Sequence, residues 1–109
     1  MNYEFSPCIA IRTPEFDRAV DFYENTLGFK RVSNEHGWVE FRNGHARWFV
    51  GEGEPIGPVM ELNVPDVEKA REELVAKGCT VVVWEGAGKD CYIRDPFGFL
   101  FNLFQVPSG

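Results

Sequence analysis

The sequence is poor in the residues that build metal centres, cross-links and polyanion-binding surfaces. It has two histidines, His36 and His45, and three cysteines. Cys8, Cys79 and Cys91 are odd in number and never spaced C-x-x-C, which argues against both a disulfide framework and a thiolate zinc site. Reduced, small and buried is their simplest reading. Lys and Arg number 11 against 17 Asp and Glu, a formal net charge of −6. No window gathers the basic residues, and phosphate neutralisation needs clustered cations, so nucleic acid is not an expected partner. No run approaches the roughly 18 apolar residues of a membrane helix, and MNYEFSPCIAIRTPEF at the start shows no basic leader with a long apolar stretch. The expectation is a soluble cytoplasmic protein without a membrane partner.

What the chain has in quantity is aromatic: 10 Phe, 3 Trp and 3 Tyr in 109 residues. With 44% of its residues hydrophobic it can offset the entropy of ordering by burial, and its length predicts one domain, 1–109. The net acidity suits cationic or neutral partners.

The chain also repeats itself. Shifted by about 51 residues, CIAIRTPEFDRA from Cys8 lies over VMELNVPDVEKA from Val59; both read as an alternating strand followed by Pro, acid, apolar, acid, base, Ala. The shift grows to 54 where Trp38 to Phe41 lie over Tyr92 to Asp95. Two half-modules follow, about 5–50 and 58–107, with a Gly- and Pro-rich loop at 51–57. In the first, residues 8–12 alternate as a strand, and Pro14 opens a helix whose apolar stripe is Phe16, Val20, Tyr23 and Leu27, stopped by Gly28. In the second, Pro65 and Asp66 start a helix with the stripe Val67, Ala70 and Leu74, stopped by Gly78. Three strands follow each helix: 29–33, 37–42 and 46–50, then 79–84, 91–94 and 99–105. Asn43-Gly44 and Asp95-Pro96-Phe97-Gly98 supply hairpin turns. The pattern is βαβββ twice: an α+β fold, the two modules forming a curved mixed sheet with a concave ligand groove and helices on the convex side.

RTPEFDRAVDFYENTLGFK (Arg12 to Lys30) and YIRDPFGFLFNLFQV (Tyr92 to Val106) are similar to the opening strand-helix signature and the closing D-P-x-G hairpin of a known family. The chain resembles, over nearly its whole length, the vicinal oxygen chelate superfamily of glyoxalases, bleomycin-resistance proteins and extradiol dioxygenases. In the metalloenzymes of that family the ligands come from the first and last strand of each half. Carried over by the resemblance, these positions are Cys8, Trp48, Val59 and Asn102, a set that cannot hold a divalent ion. His36 and His45 belong to turns. No metal and no cofactor are expected, and the resemblance narrows to the metal-free, bleomycin-resistance-like branch.

Strand alternation, phased on those positions, predicts which side chains face the groove. Cys8, Ala10, Arg12, Trp38, Glu40, Arg42, Ala46, Trp48, Val50, Val59, Glu61, Asn63, Tyr92, Arg94, Leu100, Asn102 and Phe104 are placed inward; Ile9, Ile11, Val39, Phe41, Phe49, Met60, Leu62, Val64, Ile93, Phe101 and Leu103 lie under the helices. The face of strands 29–33 and 79–84, and with it Trp84, stays open. Buried charges are expensive unless paired or wet, so the mixed inward face reads as a ligand groove. The same charges also suffice to pair across the groove, and the tryptophans to fill it.

The leading expectation is metal-independent binding of an aromatic or cationic small molecule such as a bleomycin-like antibiotic, giving antibiotic resistance. Trp38 and Trp48 would stack on it, Glu40 and Glu61 would complement its charge, and Asn63, Tyr92, Arg94, Asn102, Arg12 and Cys8 would complete the site. The resemblance implies a homodimer. An alternative is a metal-independent isomerase or lyase of a small carbonyl compound, with Glu61 as general base between the apolar Val59 and Trp48. A protein-binding module without a small ligand is the third class. Gly86-Ala87-Gly88-Lys89 is no P-loop, because a strand rather than a helix follows it.

Overall fold

A computed structural model describes residues 1–107. The chain forms two compact units, one of residues 7–59 and one of residues 1–6 together with the chain from Met60 onward. The α+β pattern expected from the repeat is present in both halves.

The first half carries β1 (Glu4–Thr13), α1 (Phe16–Asp21), β2 (Lys30–Glu35), β3 (Trp38–Asn43) and β4 (Ala46–Glu52). Its strands order as β2-β3-β4-β1, with β1 and β4 parallel and the rest antiparallel. The second half carries β5 (Ile56–Val64), α2 (Val67–Ala76), β6 (Thr80–Trp84), β7 (Cys91–Arg94) and β8 (Leu100–Gln105), ordered β5-β8-β7-β6. The linker is shorter than expected. Gly51 and Glu52 continue β4, and β5 already starts at Ile56, leaving only residues 53–55 between them.

Each helix covers one face of its own sheet. Val20 of α1 packs with Val39, Phe41 and Val50, and Phe41 is fully buried. Val67 and Ala70 of α2 pack with Leu62, Val64, Ile93, Phe101 and Leu103. Burying a side chain of the size of Leu or Phe contributes about 1.5–3 kcal/mol, and these two clusters hold most such residues. The second helix is also tied at its start: Asp66 accepts a hydrogen bond from the Lys69 backbone N–H (3.1 Å), and Gln105 of β8 accepts one from Val67 N–H (3.0 Å).

The first helix departs from the expected stripe. Residues Phe22–Thr26 form a π-helical turn, in which Leu27 N–H reaches back to Phe22 O at 3.1 Å. The extra residue in that turn rotates Leu27 out to 48% exposure, while Tyr23 stays inside, stacked on Phe29 with ring centroids 5.9 Å apart.

The turns fix the registers. Between β2 and β3, His36 (φ 54°) and Gly37 (φ 81°) are both left-handed, the signature of a type I′ hairpin. Between β3 and β4 the two central residues are Gly44 (φ 56°) and His45, so Asn43 closes the strand instead of starting the turn. The second half closes its last hairpin through Asp95, whose Oδ1 accepts from the N–H groups of Phe97 and Phe99, both at 2.9 Å. That explains the D-P-x-G signature: the Asp side chain organises the turn and Gly98 takes φ 95°.

The N-terminal segment belongs to the second unit. Tyr3 packs against the second core, where burial and the neighbouring Glu73 carboxylate push its hydroxyl pKa up to about 12. Phe5 lies 6.1 Å from the Phe99 ring. Among the described residues no helix is long and apolar enough to cross a membrane.

Candidate functional site

In each half the sheet face away from the helix carries the polar and charged side chains. Cross-strand register assigns that face without ambiguity in the first half. Trp38 opposes Gly51, Glu40 opposes Phe49 and Arg42 opposes Arg47. On β1, Cys8, Ala10 and Arg12 are level with Arg47, Phe49 and Gly51. On β2, Lys30 opposes Arg42 and Ser33 opposes Glu40.

Ala46, Trp48 and Val50, all expected inward, are therefore not on this face, which corrects the sequence expectation; Val50 opposes Val39 and is fully buried on the helix side. Trp48 opposes Phe41 and packs into the helix-side cluster, its ring edge-on to Tyr23 at 5.3 Å, with a buried Nε1–H that has no hydrogen-bond partner among the described residues. Phe49, expected in the core, takes the open face instead. The cause is the turn. A two-residue loop pairs residues whose numbers add to an odd sum, so the even-numbered Trp38 and Glu40 share a face with odd-numbered Phe49 and Gly51. Trp38 and Trp48 cannot stand opposite each other in such a hairpin.

Glu40 organises the open face of the first half. Its carboxylate is buried and accepts three hydrogen bonds: from Arg42 Nε at 2.7 Å, and from Arg47 Nε at 2.8 Å and Nη2 at 3.1 Å. The Arg47 bonds hold the acid well below the usual range, at about 2, with burial opposing and Arg42 reinforcing. Glu40 is thus internally neutralised, contrary to its expected role as counter-charge for a cationic guest. Trp38 is also engaged: the Arg12 guanidinium sits 4.3 Å from its ring centroid, and Phe49 meets it edge-on at 6.5 Å. The ring lies so close to Gly51 that a Cβ there would come within 2.8 Å of it. Arg12 itself reaches Glu52 O at 3.5 Å. Cys8 is half-buried beside Arg47.

In the second half the predicted parity agrees with the register. Glu61 is level with Asn102, Asn63 with Phe104, and Tyr92 opposes Asn102 while Arg94 opposes Leu100. A hydrogen-bond chain runs across this face. Cys91 N–H donates to Asn102 Oδ1 (2.8 Å), Asn102 Nδ2 donates to Glu61 Oε2 (3.1 Å), and Ser6 Oγ donates to Glu61 Oε1 (2.9 Å). Glu61 therefore stands between two donors, and the apolar setting expected from Trp48 is gone. Ser6 was not among the sequence candidates, and its placement 55 positions from Glu61 left no local signal. Tyr92 is buried, Asn63 and Asn102 half-buried and Arg94 exposed. Trp84, undetermined by sequence, packs on the helix side with Arg71 4.5 Å over its ring. The thiol of Cys91 is buried and donates to Gly86 O at 3.1 Å, and burial pushes its pKa up.

A metal of the kind the family's enzymes use does not fit these residues. Where the resemblance placed a ligand on β4, the open face presents Arg47 and Phe49, a cation and a hydrocarbon ring. On β8, the oxygen of Asn102 is occupied by Cys91 N–H. Among the described residues no three His, Cys, Asp or Glu side chains gather as a ligand set, and His36 and His45 sit exposed in hairpin turns.

The family model described as Glyoxalase/Bleomycin resistance protein/Dioxygenase superfamily matches residues 7–103. The sequence matches no curated protein. A hypothetical protein of Bacillus halodurans has a similar structure, with a TM-score of 0.64 at 14% identity over 100% of this chain and 98% of that one. An uncharacterized protein from Methanosarcina mazei gives 0.56 at 15% identity, over 96% and 94%. Homoprotocatechuate 2,3-dioxygenase of Brevibacterium fuscum, in its complex with 3,4-dihydroxyphenylacetate, gives 0.67 at 18% identity. The match covers 98% of this chain and 38% of the dioxygenase.

Proposed function

This chain belongs to the glyoxalase, bleomycin-resistance and dioxygenase superfamily, and on that premise we propose that it is a metal-independent small-molecule binding protein. The observation that carries the reading is the open sheet face of the first half. Trp38 and Phe49 lie there beside Glu40, Arg42 and Arg47, an aromatic wall with a few fixed polar groups, which is the composition of a small-molecule site. Donor chemistry supports metal independence, because arginine and phenylalanine stand where a ligand set would need carboxylates. For an aromatic, cationic antibiotic of bleomycin type, Glu61 is the carboxylate that would meet the positive charge, since Glu40 is satisfied by two guanidinium groups. As the resemblance implies, the protein acts as a homodimer; light scattering at micromolar concentration reads the mass directly, and a monomer would remove the dimer from the proposal.

The test is a thermal-shift screen of aromatic ligands, neutral, cationic and anionic, each with and without divalent metal. Binding at about a hundred times the dissociation constant stabilises by roughly 2.7 kcal/mol, a readable shift. Stabilisation that is indifferent to metal is the expected result. Stabilisation only with metal refutes metal independence, and none with any ligand leaves the protein-binding class.

A second reading has its own observation. Glu61 is held from both oxygens by Ser6 and Asn102, as a positioned general base would be. In a metal-independent isomerase or lyase of a small carbonyl compound, Glu61→Gln abolishes turnover; in a binder it costs a modest loss of affinity.

A further inference from the structure

Ser6, Glu61, Cys91 and Asn102 all lie in the second unit, joined by hydrogen bonds that run from the backbone to a hydroxyl. Cys91 N–H donates to Asn102 Oδ1 at 2.8 Å, so the amide turns its Nδ2 toward Glu61, 3.1 Å from Oε2. With one oxygen held, the plane of the carboxylate is set, and its other oxygen, Oε1, takes the Ser6 hydroxyl at 2.9 Å. The anchor is a backbone N–H of β7, which neither rotates away nor changes charge.

Hydroxyl, carboxylate and amide in that order have the geometry of nucleophile, general base and orienting group: the base lies within hydrogen-bond reach of the nucleophile and is itself fixed by a third side chain. A serine hydroxyl alone is a weak nucleophile. A base that takes its proton as the oxygen attacks is what activates it. Cys91, the stronger nucleophile by type, is kept from that role, because its thiol is buried and donates to Gly86 O, and burial pushes its pKa up.

The surroundings fit a small ester. Ser6 and Glu61 are both half-buried, so the pair is partly desolvated yet within reach of a substrate. Asn63 stands on the same face two residues along β5, about 7 Å away. It is level with Phe104, whose side chain is 43% exposed. An amide donor for a carbonyl oxygen and a ring for an apolar ester group thus lie beside the Ser6–Glu61 pair.

We propose that Ser6 is the nucleophile of an acyl-transfer site for small carboxylic esters, with Glu61 as its general base. Ser6 Oγ bonds to the carbonyl carbon while its proton passes to Glu61 Oε1; the bond from that carbon to the alcohol oxygen breaks, and the alcohol leaves with the proton. Water then attacks the acyl carbon, giving a proton to Glu61 that returns to Ser6 Oγ as the acid departs. Asn102 is a positioning residue. This role rests on the reading of Glu61 as a general base and adds to it the atom that attacks.

The experiment uses the full chain with p-nitrophenyl acetate at neutral pH, following p-nitrophenolate by absorbance and the acetyl group by peptide mass mapping. The expected result is a burst of about one p-nitrophenolate per chain, with the acetyl group on Ser6. Ser6→Ala loses burst and label, Ser6→Thr, which keeps a hydroxyl, retains both at a lower rate, and Glu61→Gln slows acylation by at least about a hundredfold. Asn102→Leu lowers the acylation rate constant about tenfold at an unchanged half-saturating ester concentration, a split that a general loss of fold does not produce. The urea midpoint of each variant reports its fold. Acetyl found only on the N-terminal amine or on lysine, a burst retained in Ser6→Ala, or no release above the buffer rate overturns the proposal. If release depends on Glu61 and not on Ser6, the general-base reading stands without the nucleophile; if Glu61→Gln acylates like the parent, both fail.

Discussion

Replacing Glu40 by Gln keeps the shape of the side chain and removes the charge that two arginines share. The magnitude follows from the shift in its acidity. Glu40 titrates near 2 in the folded chain against 4.5 unperturbed, a difference of about 2.5 units. At 1.36 kcal/mol per unit this is about 3.4 kcal/mol. The carboxylate is buried, but the Arg42 and Arg47 side chains are 53% and 37% exposed, so solvent screening brings the expected contribution down to about 2 kcal/mol. The sign is that of a lowered carboxylate: the contribution is fully present above the unfolded value, and it is lost as the pH falls from about 5 through the folded value near 2. More than half has gone by pH 3.

The assay is urea unfolding of parent and Glu40→Gln at pH 7, 5 and 3, followed by tryptophan fluorescence. Every other acid titrates alike in both proteins and cancels in the difference. A gap of about 2 kcal/mol at pH 7 that closes to less than half at pH 3 is expected. A gap that is absent at pH 7, or of the same size at pH 3, would refute the assignment of Glu40 as the ionised centre of this cluster.

Two further substitutions probe the faces of β4. Gly51→Ala places a Cβ 2.8 Å from the Trp38 ring, which Arg12 and Phe49 hold from other sides; a destabilisation of about 1–3 kcal/mol and an altered near-ultraviolet circular dichroism spectrum are expected, and a variant as stable as the parent contradicts the packing. Trp48→Phe keeps an aromatic ring against Tyr23 and removes the buried Nε1–H that lacks a partner among the described residues, so it should cost less than about 1.5 kcal/mol and leave ligand affinity unchanged, whereas a tenfold loss of affinity would return Trp48 to the open face.

Most of the fold was legible because it follows from periods and punctuation. Alternation along β1, β5 and β8 assigned Arg12, Glu61, Asn63 and Asn102 to the open face and Ile11, Leu62 and Leu103 to the other, as the registers have it. The failure at β4 has a definite origin. The repeat carried Trp48 onto Asn102, but level partners on the parallel strands match Ala10 and Phe49 with Glu61 and Asn102. The second hairpin has five residues between Arg94 and Leu100, the first four between Arg42 and Arg47, and that single residue inverts the parity of everything after it. Asn43-Gly44 is a strong turn signal, and either two-residue placement of it gives an odd sum that keeps Trp48 off the face of Trp38, so the wrong parity came from the repeat alone. The π-helical turn that turns Leu27 outward is likewise one extra residue within a regular stripe. Arg42 was visible as an inward residue and Arg47 was not among the candidates; that both would bond Glu40 depended on a cross-strand register no local pattern encodes.

The membership of residues 1–6 in the second unit has a consequence for how this chain is built and cut. Sequence halves and spatial halves do not coincide: a fragment starting at the linker lacks the strand end that supplies Ser6 to Glu61 and Tyr3 to the second core. That unit closes only when residues 1–6 meet the chain from Met60 onward, as Ser6 meets Glu61 55 positions on, a long loop whose closure costs entropy. A deletion of residues 1–6 acts on Glu61, and a permutation that places residues 1–6 after the second unit would join each unit into one uninterrupted stretch of sequence.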